Sequence, residues 1–309
     1  MVCIFKHNNI KVLVTGSKGL IGKRLVKKLK NIGFKVKEFD IKFPQNHESH
    51  GNILDSRQLF QAVEGCQGVV HLAAVSRVIF GERDPKLCMT TNHFGTKKVI
   101  DACRKHNAWV IFSSSREVYG QQKSLPVFAD AKYSPVNVYA ESKVKAEEEV
   151  LKVRDYINTA IVRYSNVYGS IYDYADRVVP AFCRAAVLDK PLILEGCSNT
   201  FDFTHLEDSV EGTISVIYKM LEGMPPPPLH FTTGIPTTLL DLSNLVLKCS
   251  NRSANNIIEG VPRNFDVGNF YGDTSKTESI LGWKAKVSLQ SGIANLVKEF
   301  QRNIHQVCV

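Results

Sequence analysis

Apolar positions in the first half of the chain switch repeatedly between two periods. Lys11-Val12-Leu13-Val14-Thr15 is a short apolar run that ends on a glycine cluster, and Leu20, Ile21, Leu25, Val26, Leu29 and Ile32 then recur at helical spacing. This predicts strand, tight turn and helix. Gly33 is placed to stop the helix, and Phe34 to Phe39 alternate as a second strand ending at Asp40. The alternation continues with strands at Gly68–Leu72, Trp109–Phe112 and Thr159–Arg163, and with helices at Asn92–Lys105 and from about Tyr139 to Val153. Parallel neighbours need a crossover, so short strands separated by helices predict an α/β fold, a doubly wound parallel sheet covered on both faces. Beyond Gly169 the pattern loosens into a helix at Arg177–Leu188, a short strand at Leu192–Leu194 and an amphipathic run from Asp208 to Leu221. Pro225 to Pro228 then read as a stiff extended connector, with a partner-binding motif as the other reading, before a strand at Leu229–Thr233. There is no internal repeat.

With 309 residues, 44% of them hydrophobic, the chain is long enough for a sizeable core and unlike a disordered one. It contains no run of eighteen uncharged apolar residues, and Met1-Val2-Cys3-Ile4-Phe5-Lys6-His7 lacks the apolar block of a signal peptide. A soluble, cytoplasmic protein with no membrane partner is expected. The cysteines at 3, 66, 88, 103, 183, 197, 249 and 308 show no CxxC and no zinc-ligand spacing, so they read as reduced thiols, mostly buried, with no metal site. The formal charge of +9 admits a nucleic-acid partner, since Lys23, Arg24, Lys27, Lys28, Lys30, Lys35 and Lys37 crowd the early chain. These residues alternate with apolar ones at helix and strand period, which points instead to a solvated face and no nucleic acid. An anionic small substrate also suits the charge.

Gly16-Ser17-Lys18-Gly19-Leu20-Ile21-Gly22 reads GxxGxxG, directly after the first strand and opening the first helix. The first glycine permits the turn, the second lets backbone approach a pyrophosphate, and the third lets helix and strand pack closely, with helix N–H groups facing the anion. Asp40 ends the second strand eighteen residues after Gly22, close to the interval at which a carboxylate meets the adenosine ribose hydroxyls. A carboxylate there repels a 2′-phosphate and favours NAD over NADP, a preference that Lys42 tempers; the other reading is an ordinary strand-end aspartate.

Tyr139-Ala140-Glu141-Ser142-Lys143 is a YxxxK sequence, and four residues along a helix return to the same face. A nearby cation lowers a phenol's pKa from about 10 and makes Tyr139 usable as an acid/base group. YxxxK alone is common. Here it follows the dinucleotide fingerprint and the cluster Ser113-Ser114-Ser115, which ends a strand where open α/β sheets bind ligands.

Taken together these features resemble the extended short-chain dehydrogenases/reductases, and within them the NAD-dependent nucleotide-sugar epimerase/dehydratase family typified by UDP-glucose 4-epimerases. The resemblance runs from the glycine sequence through Gly51-Asn52-Ile53-Leu54-Asp55, His71-Leu72-Ala73-Ala74, Asn92 with Gly95-Thr96, Ser115-Arg116-Glu117-Val118-Tyr119-Gly120 and YxxxK. It continues through Arg163-Tyr164-Ser165-Asn166-Val167-Tyr168-Gly169 and Arg263-Asn264-Phe265-Asp266 to Leu281-Gly282-Trp283. It implies a Rossmann domain of residues 1–169 with 204–235 and a smaller nucleotide-sugar domain of 170–203 with 236–309. It also implies a homodimer formed through two helices per subunit.

For the cofactor, the resemblance places Asn52 and Ile53 at the adenine, Leu72, Ala73 and Ala74 along the NAD, and Asn92 and Tyr164 toward the nicotinamide, with Ser113 beside them. It makes Ser115, Tyr139, Lys143 and Glu117 catalytic, counts Tyr139 and Lys143 among the NAD contacts as well, with Lys143 holding the ribose, and puts Asn166 and Arg263 on the substrate's diphosphate, with Arg77 and Arg116 as further substrate-binding residues. In the implied reaction Tyr139 takes a proton from the C4 hydroxyl as the C4 hydride passes to NAD, and the ketone then accepts the hydride on its other face or loses water. Sugar 4,6-dehydratases of the family place Asp-Glu after the Ser/Thr; this chain keeps Glu117 but has Arg116 at the acid's position, and arginine is a poor proton donor. A UDP-sugar 4-epimerase is therefore expected, with a 4,6-dehydratase or C5-acting enzyme as the alternative and, for Glu117, a purely structural pairing with Arg116 or Arg77. Phe201 stands where the family commonly has an arginine before Asp-Phe. A plain NAD dehydrogenase and a non-catalytic NAD-binding regulator are the further alternatives.

Overall fold

Val12, Leu13 and Val14 of strand β1 (Lys11–Thr15) are completely buried, as expected of a strand flanked by neighbours and covered on both faces. The computed structural model describes residues 9–253, 257–261 and 267–303. Arg263 to Asp266, Cys3 and Cys308 lie outside the described residues.

After β1 the chain runs through α1 (Leu20–Asn31), β2 (Lys35–Phe39), α2 (Ser56–Val63), β3 (Gly68–His71), α3 (Val78–Arg83), α4 (Pro85–Met89), α5 (Gly95–Lys105), β4 (Trp109–Ser115), α6 (Val138–Lys152) and β5 (Thr159–Tyr164). β6 (Asn166–Tyr168), α7 (Val178–Val187), β7 (Leu192–Glu195), β8 (Thr200–Phe201), β9 (Phe203–His205), α8 (Leu206–Leu221) and β10 (Leu229–Phe231) follow. The described chain ends with β11 (Thr237–Thr238), α9 (Leu239–Cys249), β12 (Ile257–Gly260), α10 (Ser275–Leu281) and α11 (Leu289–Arg302).

Contacts divide the chain into two units, one of Met1–Gly120, Lys132–Tyr164 and Val210–His230, the other of Gln121–Ala131, Ser165–Ser209 and Phe231–Val309. The first is built on a six-stranded sheet of order β10-β5-β4-β3-β1-β2, with parallel pairing from β2 through β5. Leu59 and Val63 of α2 and Val99, Ala102 and Cys103 of α5 cover Leu13, Val69 and Val110, while Ala146 and Val150 of α6 pack with Phe112 and Ile161. Each such fully buried large side chain contributes about 1.5–3 kcal/mol. The second unit surrounds its core of Phe182, Leu192, Phe203, Leu242, Ile293 and Phe300 with α7, α9 and α11, alongside the strand pairs β6–β9, β8–β11 and β7–β12.

The predicted helix at Asn92–Lys105 begins earlier than its periodicity indicates. Asp84 accepts from the Leu87 amide and Pro85 occupies the first turn of α4, so helix starts there. Between α4 and α5 the five residues Thr90–Phe94 form a π turn, closed by the Gly95 amide on the Thr90 carbonyl. β4 runs past Phe112 through the three serines, because Ser113, Ser114 and Ser115 pair in register with Val162, Arg163 and Tyr164.

Several of the early basic residues are engaged within the first unit. Lys30 pairs with Glu38 at 2.7 Å, Lys28 with Glu211 at 2.5 Å, and the Lys37 ammonium donates to carbonyls of Gln61, Ala62 and Glu64 at the end of α2. The described free cysteines are Cys66, Cys88, Cys103 and Cys183, all buried, and the half-buried Cys197 and Cys249. Among the described residues no helix is long and apolar enough to cross a membrane.

Candidate active site

The carboxyl ends of β1, β3, β4 and β5 bring together Gly16, Leu72, Ser115 and Tyr164, at the place where the strand order reverses about β1. Gly16 has φ +70°, and a Cβ on it would lie 2.6 Å from the Ala73 nitrogen, so only glycine lets this turn rest on the Leu72–Ala73 backbone. A Cβ on Gly22 would lie 2.1 Å from the Gly16 carbonyl oxygen. Gly19 is the N-cap of α1, so no side chain caps the first-turn N–H groups around Leu20 and Ile21, and the first turn carries no acid. These donors and the bare turn fit a pyrophosphate.

Asp40 is buried beside this turn, with Oδ2 accepting the Lys18 amide at 2.8 Å and Oδ1 the Lys42 amide at 2.9 Å. Each oxygen keeps lone pairs for a ribose hydroxyl. Asn52 is exposed, its side-chain oxygen accepting from the Leu54 amide, whereas Ile53 is packed into the core. Ala74 follows Ala73 in the half-buried loop after β3.

Tyr139 and Lys143 lie one helical turn apart on α6, whose N-cap Asn137 accepts from the Ala140 amide at 2.8 Å. The Lys143 ammonium is buried, donates to the Ser113 carbonyl at 2.7 Å and sits 6.0 Å from the centre of the Tyr139 ring. Burial brings its pKa down from the ordinary lysine range to about 8, against the opposing pull of Cys88 and Glu147. Ser115 ends β4 and caps the 3₁₀ turn Arg116–Tyr119, its hydroxyl accepting from the Glu117 amide at 3.2 Å.

Glu117 is buried. Its Oε1 is 2.8 Å from Nη2 of Arg116, and its Oε2 accepts from the Asn137 amide nitrogen at 3.3 Å. The pairing with Arg116 is thus formed, and both oxygens are engaged. Arg77 stands at the start of α3 with its guanidinium 4.9 Å from the Phe80 ring.

Asn92 faces inward from the π turn and is fully buried; it accepts from the Val75 amide at 2.8 Å and donates to the Val75 carbonyl at 3.0 Å and the Ser142 hydroxyl at 2.9 Å. Its amide therefore ties the loop after β3 to α6, one residue before Lys143. Tyr164 is also buried, with its hydroxyl 2.7 Å from that of Thr213. In the second unit Asn166 donates its backbone N–H to the Asp202 carbonyl at 3.2 Å. There Phe201 is buried in the core and packs edge-on against Phe203 at 6.1 Å, while the Asp202 carboxylate accepts from Thr233 and Gly234.

Two buried networks escape a reading by spacing. The Thr96 hydroxyl donates to the Asn92 carbonyl at 2.6 Å, which leaves it to accept from His71 Nε2 at 3.1 Å; Nδ1 then accepts from Thr15, 2.7 Å away. Burial holds the His71 pKa down to about 3, so this imidazole is neutral and links the glycine turn to the π turn. The second network centres on Glu147, whose only sequence signal is its position one turn past Lys143.

A profile of the NAD-dependent epimerase/dehydratase family matches residues 12–227. The chain belongs to this family. A putative UDP-glucose 4-epimerase of Methanocaldococcus jannaschii is 29% identical over 311 residues, covering 94% of this chain and 99% of that protein. UDP-glucuronic acid decarboxylase 2 of Arabidopsis thaliana is 28% identical over 322 residues, covering 97% and 70%. The UDP-glucose 4-epimerase of Thermotoga maritima, solved with UDP-glucose, superposes with a TM-score of 0.86 at 25% identity, covering 96% of this chain and all of that one at 100%.

Membership of this family makes the chain an enzyme with NAD as its cofactor, and the glycine turn and Asp40 fit that molecule. NAD is expected to bind more tightly than NADP, because Asp40 would meet a 2′-phosphate with like charge. Titrating the protein with each dinucleotide checks this; tighter NADP binding would contradict the role given to Asp40.

Proposed function

We propose that this enzyme is a UDP-sugar 4-epimerase that works by transient oxidation at C4, with Ser115, Tyr139 and Lys143 as its catalytic residues. The observation that carries epimerisation over dehydration is the fixing of Glu117 between Arg116 and Asn137. Water loss across C5–C6 needs a carboxylate to take the C5 proton and an acid to protonate the leaving hydroxyl. Here the carboxylate has both oxygens engaged, and the neighbouring position holds a guanidinium, a side chain ill suited to donate a proton to a leaving hydroxyl.

NAD, when bound, supplies the acceptor for the C4 hydride and gives the hydride back. Tyr139 takes the proton of the C4 hydroxyl through its phenolic oxygen, and returns it when the ketone is reduced on its opposite face. Lys143 supplies the positive charge beside the phenolate, and Ser115 hydrogen-bonds the reacting oxygen. In this reading Asn166 and Arg263 hold the diphosphate. Phe201, buried in its core, leaves that task to them. The homodimer implied by the resemblance belongs to the same proposal and is checked by sedimentation.

Incubation with UDP-glucose, UDP-galactose and UDP-glucuronic acid tests the activity. Interconversion of the first two without accumulation of NADH is expected; loss of carbon dioxide from the third, or steady NADH production, would contradict it. The rate should fall as pH rises through about 8, where the buried Lys143 loses its proton and with it the charge beside the phenolate. A rate still rising well above that pH would argue against a protonated Lys143.

A further inference from the structure

Glu147 is completely buried, and its two oxygens accept from four donors. Oε1 takes the Ser114 hydroxyl at 2.5 Å and Arg163 Nε at 2.9 Å; Oε2 takes Arg163 Nη2 at 2.6 Å and the Tyr133 hydroxyl at 2.7 Å. Arg163 Nη1 reaches the Tyr119 hydroxyl at 3.0 Å, which lies 3.1 Å from His230 Nδ1. One ion pair thus joins β4, the 3₁₀ turn after Ser115, α6, β5 and β10. A buried ion pair is seldom worth more than a well-packed apolar pair, so stability alone does not account for it.

Its placement suggests a use. Ser114 lies between Ser113, whose carbonyl anchors the Lys143 ammonium, and Ser115. Side chains alternate along a strand, so Ser114 points to the opposite side from Ser113 and Ser115. A fixed partner on the Ser114 hydroxyl therefore sets the rotation of the strand end that presents Ser115. The carboxylate also lies one helical turn from Lys143.

Building on the proposed roles of Ser115 and Lys143, we infer that Glu147 is a positioning residue for the reaction, aiming Ser115 through Ser114 and placing a carboxylate one helical turn from Lys143. Cys88 on α4, His71 on β3 and Tyr139 on α6 also face Lys143, and Glu147 itself faces Arg163, Tyr133 and Arg154. His71 is neutral, and Cys88, a buried thiol whose own pKa is pushed up, also raises the Lys143 pKa. Glu147 raises the Lys143 pKa against the effect of burial.

The test compares Glu147→Gln, Ser114→Ala and Ser114→Thr as NAD-loaded proteins. Lys143 is titrated by nitrogen NMR of its ammonium, assigned with Lys143→Arg. In Glu147→Gln the midpoint should drop below about 8, since an anion that raises it is lost. In Ser114→Ala the midpoint should hold while kcat for UDP-sugar turnover falls roughly tenfold at unchanged KM, and Ser114→Thr should restore it. A midpoint that does not move in Glu147→Gln, or a kcat that does not fall in Ser114→Ala, overturns the inference. If Glu147→Gln fails to fold, the two Ser114 variants decide. The NMR midpoint does not depend on which sugar is turned over, so failure of the proposed activity is read separately.

Discussion

Replacing Tyr139 by phenylalanine is expected to lower turnover by roughly a hundredfold to ten-thousandfold, the range typical for loss of a positioned acid/base group, while NAD content and fold stay as in the wild type. The substitution removes one oxygen and leaves the ring, which sits in the second position of α6 and is buried apart from 7% of its surface. Lys143 keeps its hydrogen bond to the Ser113 carbonyl, so the cofactor side of the site should be unaffected. KM should move little, because the proton transfer belongs to the transition state. The measurement is kcat and KM beside the NAD released on denaturation. A Tyr139→Phe enzyme with full activity would place the chemistry elsewhere.

Gly22→Ala is expected to weaken NAD binding by about a hundredfold or more, equivalent to some 3 kcal/mol. The added methyl would stand 2.1 Å from the Gly16 carbonyl oxygen and 2.9 Å from the Ser17 Cα. Both obstacles are backbone, so no rotamer change relieves them; the turn has to open, and the α1 N–H groups lose their aim at the pyrophosphate. Gly19→Ala should be milder, since its nearest contact is the Gly16 oxygen at 3.1 Å. Calorimetric titration with NAD compares the two. Equal affinity of Gly22→Ala and wild type would mean that this turn does not hold the dinucleotide.

The parts of this fold that are legible in sequence are those whose signal repeats. The β1 to α1 passage combines a run of apolar residues, three glycines and two helical turns of apolar spacing, all pointing to one local structure. Helices α2, α3 and α4 span eight, six and five residues, too short for a 3.6-residue period to repeat convincingly. Their caps were the available signal: Asp55 accepts from Arg57 and Gln58, and Asp84-Pro85 opens α4. The π turn has no such marker, because it depends on where Asn92 finds Val75 and Ser142 in space. At the site, YxxxK is local and could be read, whereas Glu147 and Arg163 are sixteen residues apart on α6 and β5 and meet only through the packing of that helix on the sheet. Glu117 was legible as a residue, but its engagement by Asn137 required the structure.

Transient oxidation at C4 with return of the same hydride leaves a signature that can be read by running the reaction on a UDP-hexose in deuterated water and weighing the product. In the proposed reaction the hydride taken from C4 is returned without meeting solvent, and Tyr139 exchanges only a hydroxyl proton. An isomer of unchanged mass, inverted at C4, with no deuterium on any carbon after exchangeable protons are washed back, is therefore expected. Deuterium at C5, or a product lighter by one water, would show that Glu117 acts as a base despite Arg116 and Asn137, and would contradict 4-epimerisation.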